Sequence, residues 1–174
     1  WKKETGIGFS LYGTPAESLC YRFARIDREK FGDIKNVTDK GYYTNSYHVD
    51  VRENIDAFSK FVFESEFQNK SLGGAISYVE IPNLNNNLEA LEELIKFIYD
   101  NIQYGEFNTK SDYCHVCGFD GEIEINDDME WECPQCHNKD HSKMNVTRRT
   151  CGYLGENFWN AGKTKEIRAR VLHL

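Results

Sequence analysis

Apolar positions recur at helical spacing in two stretches of the chain. Thr14 and Glu17 form a capping box, and Pro15 falls where a first helical residue loses nothing by lacking an N–H. Leu19, Phe23 and Ile26 follow near helical spacing, which predicts a helix from Pro15 to about Lys30, with Gly32 just beyond its end. Phe9 to Tyr12 alternates small and apolar residues and is expected to be a strand feeding that helix. The second helix is predicted from about Leu88 to Ile102. Its apolar face is Leu88, Leu91, Leu94, Ile95 and Ile98, its wet side Glu89, Glu92, Glu93 and Lys96, and Leu84 to Asn87 supply cap candidates.

Between these helices the pattern is weaker. Tyr42 to Val51 is rich in Tyr, Thr and Val and suggests a strand, while Ile55 to Phe67 is aromatic without a clean period and stays unassigned. Gly73 to Ile81 is a buried-strand candidate that Pro82 ends. Strand, helix, strands, strand, helix is the rhythm of an α/β or α+β layer. Past Tyr104 the stretch to Asp112 is polar and expected to be a loop. Farther on, residues 122–125 and 129–132 alternate with period two around Asn126-Asp127-Asp128, a hairpin signature. A terminal helix carrying Ile167 and Val171 closes the chain.

The 174 residues are 40% apolar and 28% charged, enough for one ordinary domain or two small ones with a real core. A formal charge of −7 argues against a chain-wide nucleic-acid surface. No run approaches the ~18 to 20 apolar residues of a membrane span. The opening Trp1-Lys2-Lys3-Glu4 has neither a secretion-signal core nor an initiating Met, so the expectation is a segment of something longer in the cytoplasm.

Four of the six cysteines form two knuckles, Cys114-His115-Val116-Cys117 and Cys133-Pro134-Gln135-Cys136, fifteen residues apart. That spacing matches a four-thiolate zinc ribbon in a reducing compartment. Two thiolates three residues apart on a tight turn can share one edge of a tetrahedron, and Gly118 relieves the first turn. Cys114, Cys117, Cys133 and Cys136 are therefore the expected ligands of a structural Zn2+. His115 and His137 are bystanders, and no position is left open for substrate.

After the ribbon comes Arg148-Arg149-Thr150-Cys151-Gly152-Tyr153-Leu154-Gly155, then Asn160-Ala161-Gly162-Lys163. On composition alone this is a turn glycine, a small buried cysteine and a solvated pair of arginines. The string is more specific. With Phe9 to Cys20, Val37 to Ser46 and the knuckles in the same order, it resembles the C-terminal region of anaerobic (class III) ribonucleoside-triphosphate reductases over nearly the whole chain.

The resemblance implies an α/β fold, part of a ten-stranded glycyl-radical-enzyme barrel (1–104), with a small zinc ribbon (105–143) and a glycyl-radical loop plus C-terminal helix (144–174). It implies that Gly152 carries a radical installed by an S-adenosylmethionine/iron–sulfur activase. That radical would oxidise a cysteine on the rest of the barrel to a thiyl, for reduction of ribonucleoside triphosphates to deoxyribonucleoside triphosphates. No cysteine here matches that thiyl residue. The partners implied are the remaining N-terminal part of the reductase, the activase, the ribonucleoside triphosphate and a second copy in a homodimer. Tyr12, Gly13, Thr14 and Ala16 are candidate substrate contacts, because a helix N-terminus favours phosphate, although Thr14 can equally cap its own helix. Cys20 is expected in the core.

Two other classes compete. One is an accessory glycyl-radical subunit that completes a larger enzyme; Thr14 to Glu17 and Tyr42 to Ser46 belong to the barrel and favour the reductase. The other is a zinc-ribbon nucleic-acid binder using the basic segment Thr147 to Leu174, with six Lys/Arg against two Asp/Glu. The acidic hairpin (Glu122, Glu124, Asp127, Asp128, Glu130, Glu132) opposes it, and no nucleic acid is expected as a partner.

Overall fold

A computed structural model describes residues 1–13, 17–44, 46–150, 153–156 and 159–173. A short helix α1 (Lys2–Thr5) precedes the first long one, α2 (Glu17–Phe31). The strand expected at Phe9 to Tyr12 is reduced to a single parallel bridge from Tyr12 to Gly74, so this segment lies extended beside the chain without a ladder of its own. Tyr42 to Val51 is no strand either. Its described residues are turn and coil, held through side chains such as Lys40 Nζ to Asp50 at 2.5 Å, with Tyr42 and Val51 buried. Cys20 is half-buried, not in the core.

Helix α3 (Ala57–Gln68) occupies the stretch without a period, capped by the Asp56 carboxylate, which accepts from Ser59 N. Its buried face is Ala57, Lys60, Phe61, Glu64 and Gln68, whereas Phe58, Val62, Phe63 and Phe67 face outward. The spacing is helical, but polar residues occupy it, so no apolar period appears in the sequence. Lys60 Nζ donates to Glu64 at 2.6 Å and to the Tyr78 carbonyl at 2.7 Å, and His48 sits 3.3 Å from the other Glu64 oxygen. Burial alone would raise the Glu64 pKa; the His48 hydrogen bond and the Lys60 charge outweigh it and hold it at about 2.

Strand β1 (Ser77–Glu80) is buried throughout, and α4 (Leu88–Asn101) follows with Asn87 as its cap. Leu94 is buried as expected, but Leu88 and Ile95 are exposed, and Phe97 joins the core in their place. Strand β2 (Gly105–Asn108) then pairs parallel to β1, Ser77 opposite Gly105 and Glu80 opposite Asn108, where the sequence suggests a loop. α3 and α4 cover this sheet with Phe61, Val79, Ile81, Leu94 and Ile102.

Five short strands build the ribbon: β3 (Asp112–Cys114), β4 (Asp120–Gly121), β5 (Glu124–Ile125), β6 (Trp131–Glu132) and β7 (Met144–Asn145). β5 and β6 form the expected hairpin. Then β8 (Thr147–Thr150) and β9 (Tyr153–Glu156) pair antiparallel, and α5 (Ala161–Arg168) ends the helices, capped by Asn160. Val171 lies beyond it. α5 packs on α2 so closely that a Cβ at Gly162 would press into the Tyr21 side chain.

The tail clips onto β1. Glu80 N donates to His173 Nδ1 at 2.8 Å, His173 N to the Glu80 carbonyl at 2.9 Å, and Arg170 to the Glu80 carboxylate at 2.8 Å. Burial, helped by the Lys60 charge, lowers the His173 pKa from 6.5 to about 4. The unfolded chain therefore binds more protons than the folded one between those values, so stability is whole above pH 6.5 and declines as pH falls toward 4. The expected loss is about 2 to 3 kcal/mol. Urea midpoints at pH 7.5 and 4.5 measure it, and a His173→Gln variant with an undiminished pH slope would contradict this origin.

Candidate functional site

Each knuckle is a tight turn at a strand end. In the first, Gly118 N donates to the Cys114 carbonyl and Cys114 N to the Phe119 carbonyl, both at 2.9 Å; in the second, His137 N donates to the Cys133 carbonyl at 2.9 Å and Cys133 N to the Asn138 carbonyl at 3.0 Å. The residue after each second cysteine is left-handed, Gly118 at φ 75° and His137 at φ 59°. Histidine thus takes a backbone role that glycine fills in the first turn. Its Nδ1 lies 2.7 Å from Glu132 Oε1, on the surface. The exposed His115 ring packs edge-on against Tyr113.

The turns bring the sulfurs of Cys114, Cys117, Cys133 and Cys136 within 4.8 Å of one another, with Cys114 to Cys136 at 3.7 Å and Cys117 to Cys133 at 3.6 Å. A zinc tetrahedron with bonds of about 2.3 Å has edges of about 3.8 Å, whereas a disulfide needs about 2.05 Å. The donor set fits a metal ion. Burial opposes ionisation of the Cys114 thiol, but N–H groups of Cys117 and Val116 outweigh it and bring it to about 7. At Cys136 the Asn138 N–H favours the thiolate, yet burial and the three neighbouring sulfurs push it up to about 12. A cation among them removes that repulsion. Four thiolates complete a tetrahedron, so the arrangement suits a staple.

Around the cluster pack Ile123, Trp131, Met144, Val146 and, from α5, Ile167. Directly beyond it, β8 and β9 run in register, Thr147 opposite Glu156 and Thr150 opposite Tyr153. Cys151 and Gly152, between these strands in sequence, lie outside the described residues, as do Thr14 and Ala16.

Two consecutive arginines hold β8, and their partners went unnoticed in the sequence. The Arg148 guanidinium is buried against Asp112 in a two-pronged pair, NH1 to Oδ1 at 2.5 Å and NH2 to Oδ2 at 2.7 Å. Asp112 also accepts from Ile123 N at 2.8 Å and Thr147 N at 3.2 Å. Arg149 turns the other way, its Nε 2.5 Å from Glu106 on β2. No local signal marks these carboxylates, since each is one acidic residue in a polar stretch. Replacing Asp112 with Ala strands a buried guanidinium and two N–H groups, with an expected cost of about 3 to 5 kcal/mol. Urea denaturation checks it; a loss under about 1 kcal/mol would contradict the assignment.

The basic segment is largely consumed inside the fold. Arg148, Lys163 and Arg170 are buried, the last two on Glu166, and Arg168 pairs with Asp127 of the hairpin.

Of the predicted substrate turn, Tyr12 and Gly13 are among the described residues. Tyr12 is exposed and bridges Gly74; Gly13 N donates to the Gly74 carbonyl at 2.9 Å. A Cβ at Gly13 would stand 2.9 Å from Tyr47 Cε1 and 3.1 Å from Ser46 Oγ, so this close approach demands glycine.

Comparison with known proteins places these features. Residues 1–173 match the family model for anaerobic ribonucleoside-triphosphate reductase. Curated relatives of that name are 50% identical in Haemophilus influenzae and 48% in Escherichia coli, each over the whole chain, and 47% in Enterobacteria phage T4, over 99% of it. A solved anaerobic ribonucleotide reductase superposes on 98% of the chain and 26% of its own length, with TM-score 0.67 at 25% identity. The Thermotoga maritima enzyme, described in complex with dATP and CTP, shares the mixed α/β fold over 96% of the chain and 24% of its own length, with TM-score 0.58 at 22% identity. The chain spans about a quarter of the length of the curated relatives from the two bacteria, all of it within their reductase sequence. It belongs to the anaerobic ribonucleoside-triphosphate reductase family.

Proposed function

We propose that this chain is the C-terminal portion of an enzyme that reduces ribonucleoside triphosphates to deoxyribonucleoside triphosphates, with Gly152 storing its radical. The observation that carries the reading is the frame around residues 151–152. The strands flanking them are paired, held by Arg148 to a four-cysteine ribbon and by Arg149 to the parallel sheet. A glycine α-carbon radical is delocalised between the donating amide nitrogen and the withdrawing carbonyl. Delocalisation needs a planar centre without a crowding Cβ, and a frame that excludes water and fixes position supplies the rest.

In this reading Cys114, Cys117, Cys133 and Cys136 hold a structural Zn2+ that anchors the loop base. The division stays threefold: barrel portion (1–104), ribbon (105–143), loop and helix (144–174). Tyr12, Gly13, Thr14 and Ala16 are in this reading the contacts of the triphosphate. Exposed Phe9, Leu11, Leu19 and Phe23 support the rest of a ten-stranded barrel as their cover. The other partners are an S-adenosylmethionine/iron–sulfur activase and a second reductase copy, in the cytoplasm. No described helix is long and apolar enough to cross a membrane.

The test is electron paramagnetic resonance after anaerobic activation, followed by air. A glycyl doublet and, after oxygen, a chain cut at position 152 are expected. An intact chain without a doublet would overturn the reading.

A further inference from the structure

Strand alternation sends neighbouring side chains to opposite faces, and in β8 those faces meet different bodies. Among the described residues, the Arg148 guanidinium bonds at the ribbon and in its own strand: to Asp112, the Ile123 carbonyl at 3.2 Å and the Thr147 carbonyl at 2.8 Å, with the Trp131 ring at 5.4 Å. Arg149 faces β2. Its guanidinium meets Glu106, and its backbone N donates to Asn108 Oδ1 at 3.3 Å. Asn108 in turn donates to Glu80 Oε1 at 2.6 Å, the oxygen that also receives Arg170.

The two ion pairs differ in kind. Arg148–Asp112 is two-pronged, its side chains 1% and 0% exposed. Arg149–Glu106 is a single contact between side chains 18% and 12% exposed; its meeting atoms, Nε and Oε2, are shielded but form no aligned hydrogen bond, so charge alone holds them together. Asp112 and Arg148 would travel together if ribbon and hairpin moved as a unit, whereas Glu106 stays on the sheet with β1.

We propose that Arg149 and Glu106 form a separable clasp, positioning residues that seat the β8–β9 hairpin on the parallel sheet, while Arg148 and Asp112 keep the hairpin on the ribbon whether the clasp is open or shut. The role rests on the glycyl-radical reading. With the clasp shut the hairpin strands are seated on the parallel sheet; with it open the hairpin is free to be presented to the activase without loss of the ribbon.

The test compares Glu106→Gln, Arg149→Lys and Asp112→Asn in the reductase that contains this segment. Glu106→Gln keeps the shape at Tyr104 OH, which lies 2.8 Å from Glu106 Oε1, and removes the charge. It is expected to speed amide exchange in 147–150 and 153–156 about fivefold or more, with zinc per chain unchanged. Radical formation is expected to be at least as fast as in the parent, while turnover per installed radical falls about ten- to a hundredfold. Arg149→Lys, which keeps the charge, recovers most of that turnover. Asp112→Asn lowers zinc and radical yield together.

Unchanged exchange in Glu106→Gln, or zinc and radical lost in parallel as in Asp112→Asn, overturns the clasp. If Glu106→Gln is insoluble, Arg149→Gln, which leaves β2 untouched, takes its place with the same expected split. The exchange measurement needs no radical. Faster exchange with zinc retained, in a protein that never yields a doublet, upholds the seating contact and removes the proposed function alone.

Discussion

Replacing Gly152 with Ala is expected to erase the radical signal and lower turnover of the activated reductase by on the order of 10^4- to 10^6-fold, the loss typical of removing a group that performs the chemistry. The argument is one of planarity. An alanine radical at this position would carry a methyl group in the plane that amide and carbonyl must share, and the methyl would crowd the neighbours. Stability is expected to change by no more than about 1 kcal/mol, because the flanking strands keep their own register and both arginine contacts. Zinc content and urea midpoint therefore act as controls. A variant with an unchanged doublet would place the unpaired electron on another residue.

What was legible in the sequence was local. The knuckles, the β5–β6 hairpin and the helices α2 and α4 follow from spacings of two to four residues, and the cap at Asn87 sits where such a residue stabilises a helix start. What was illegible was either buried polarity or long-range pairing. α3 hides Lys60, Glu64 and Gln68 on its inner face, where they bond to Tyr78, His48, Ser77 and the 103–104 backbone, so its apolar residues point the wrong way for periodicity to find it. β2 has a single large apolar residue, Phe107, and exists because β1 offers a parallel edge far away in sequence. Tyr42 to Val51 shows the converse: its described residues, although of high strand propensity, are turn and coil, held through side-chain contacts in place of a ladder. The same blindness covers the frame of the candidate site. Asp112 and Glu106 acquire meaning only once Arg148 and Arg149 reach them across 36 and 43 positions of chain.

Cys133→Ser is expected to empty the metal centre and take the radical with it. The ribbon strands run only two or three residues each, so beside the core of Ile123, Trp131, Met144, Val146 and Ile167 metal binding is expected to supply on the order of 10 kcal/mol or more toward folding. Without the ion, the three remaining sulfurs of a cluster that spans 4.8 Å lose the charge that reconciles them, and both knuckle turns open. Trp131 and Ile123, which floor the Arg148 site, lose their order, and Asp112 at the foot of β3 no longer meets the guanidinium. The hairpin then keeps its contacts with β2, Arg149 to Glu106 and Arg149 N to Asn108 Oδ1. Zinc per chain is expected to fall to near zero and radical yield to background, while the 57–102 core around Phe61 and Val79 retains its protection from amide exchange because it shares no residue with the ribbon cluster. Full radical yield in metal-free protein would mean that the loop is held by the sheet alone, and the ribbon would then need another purpose.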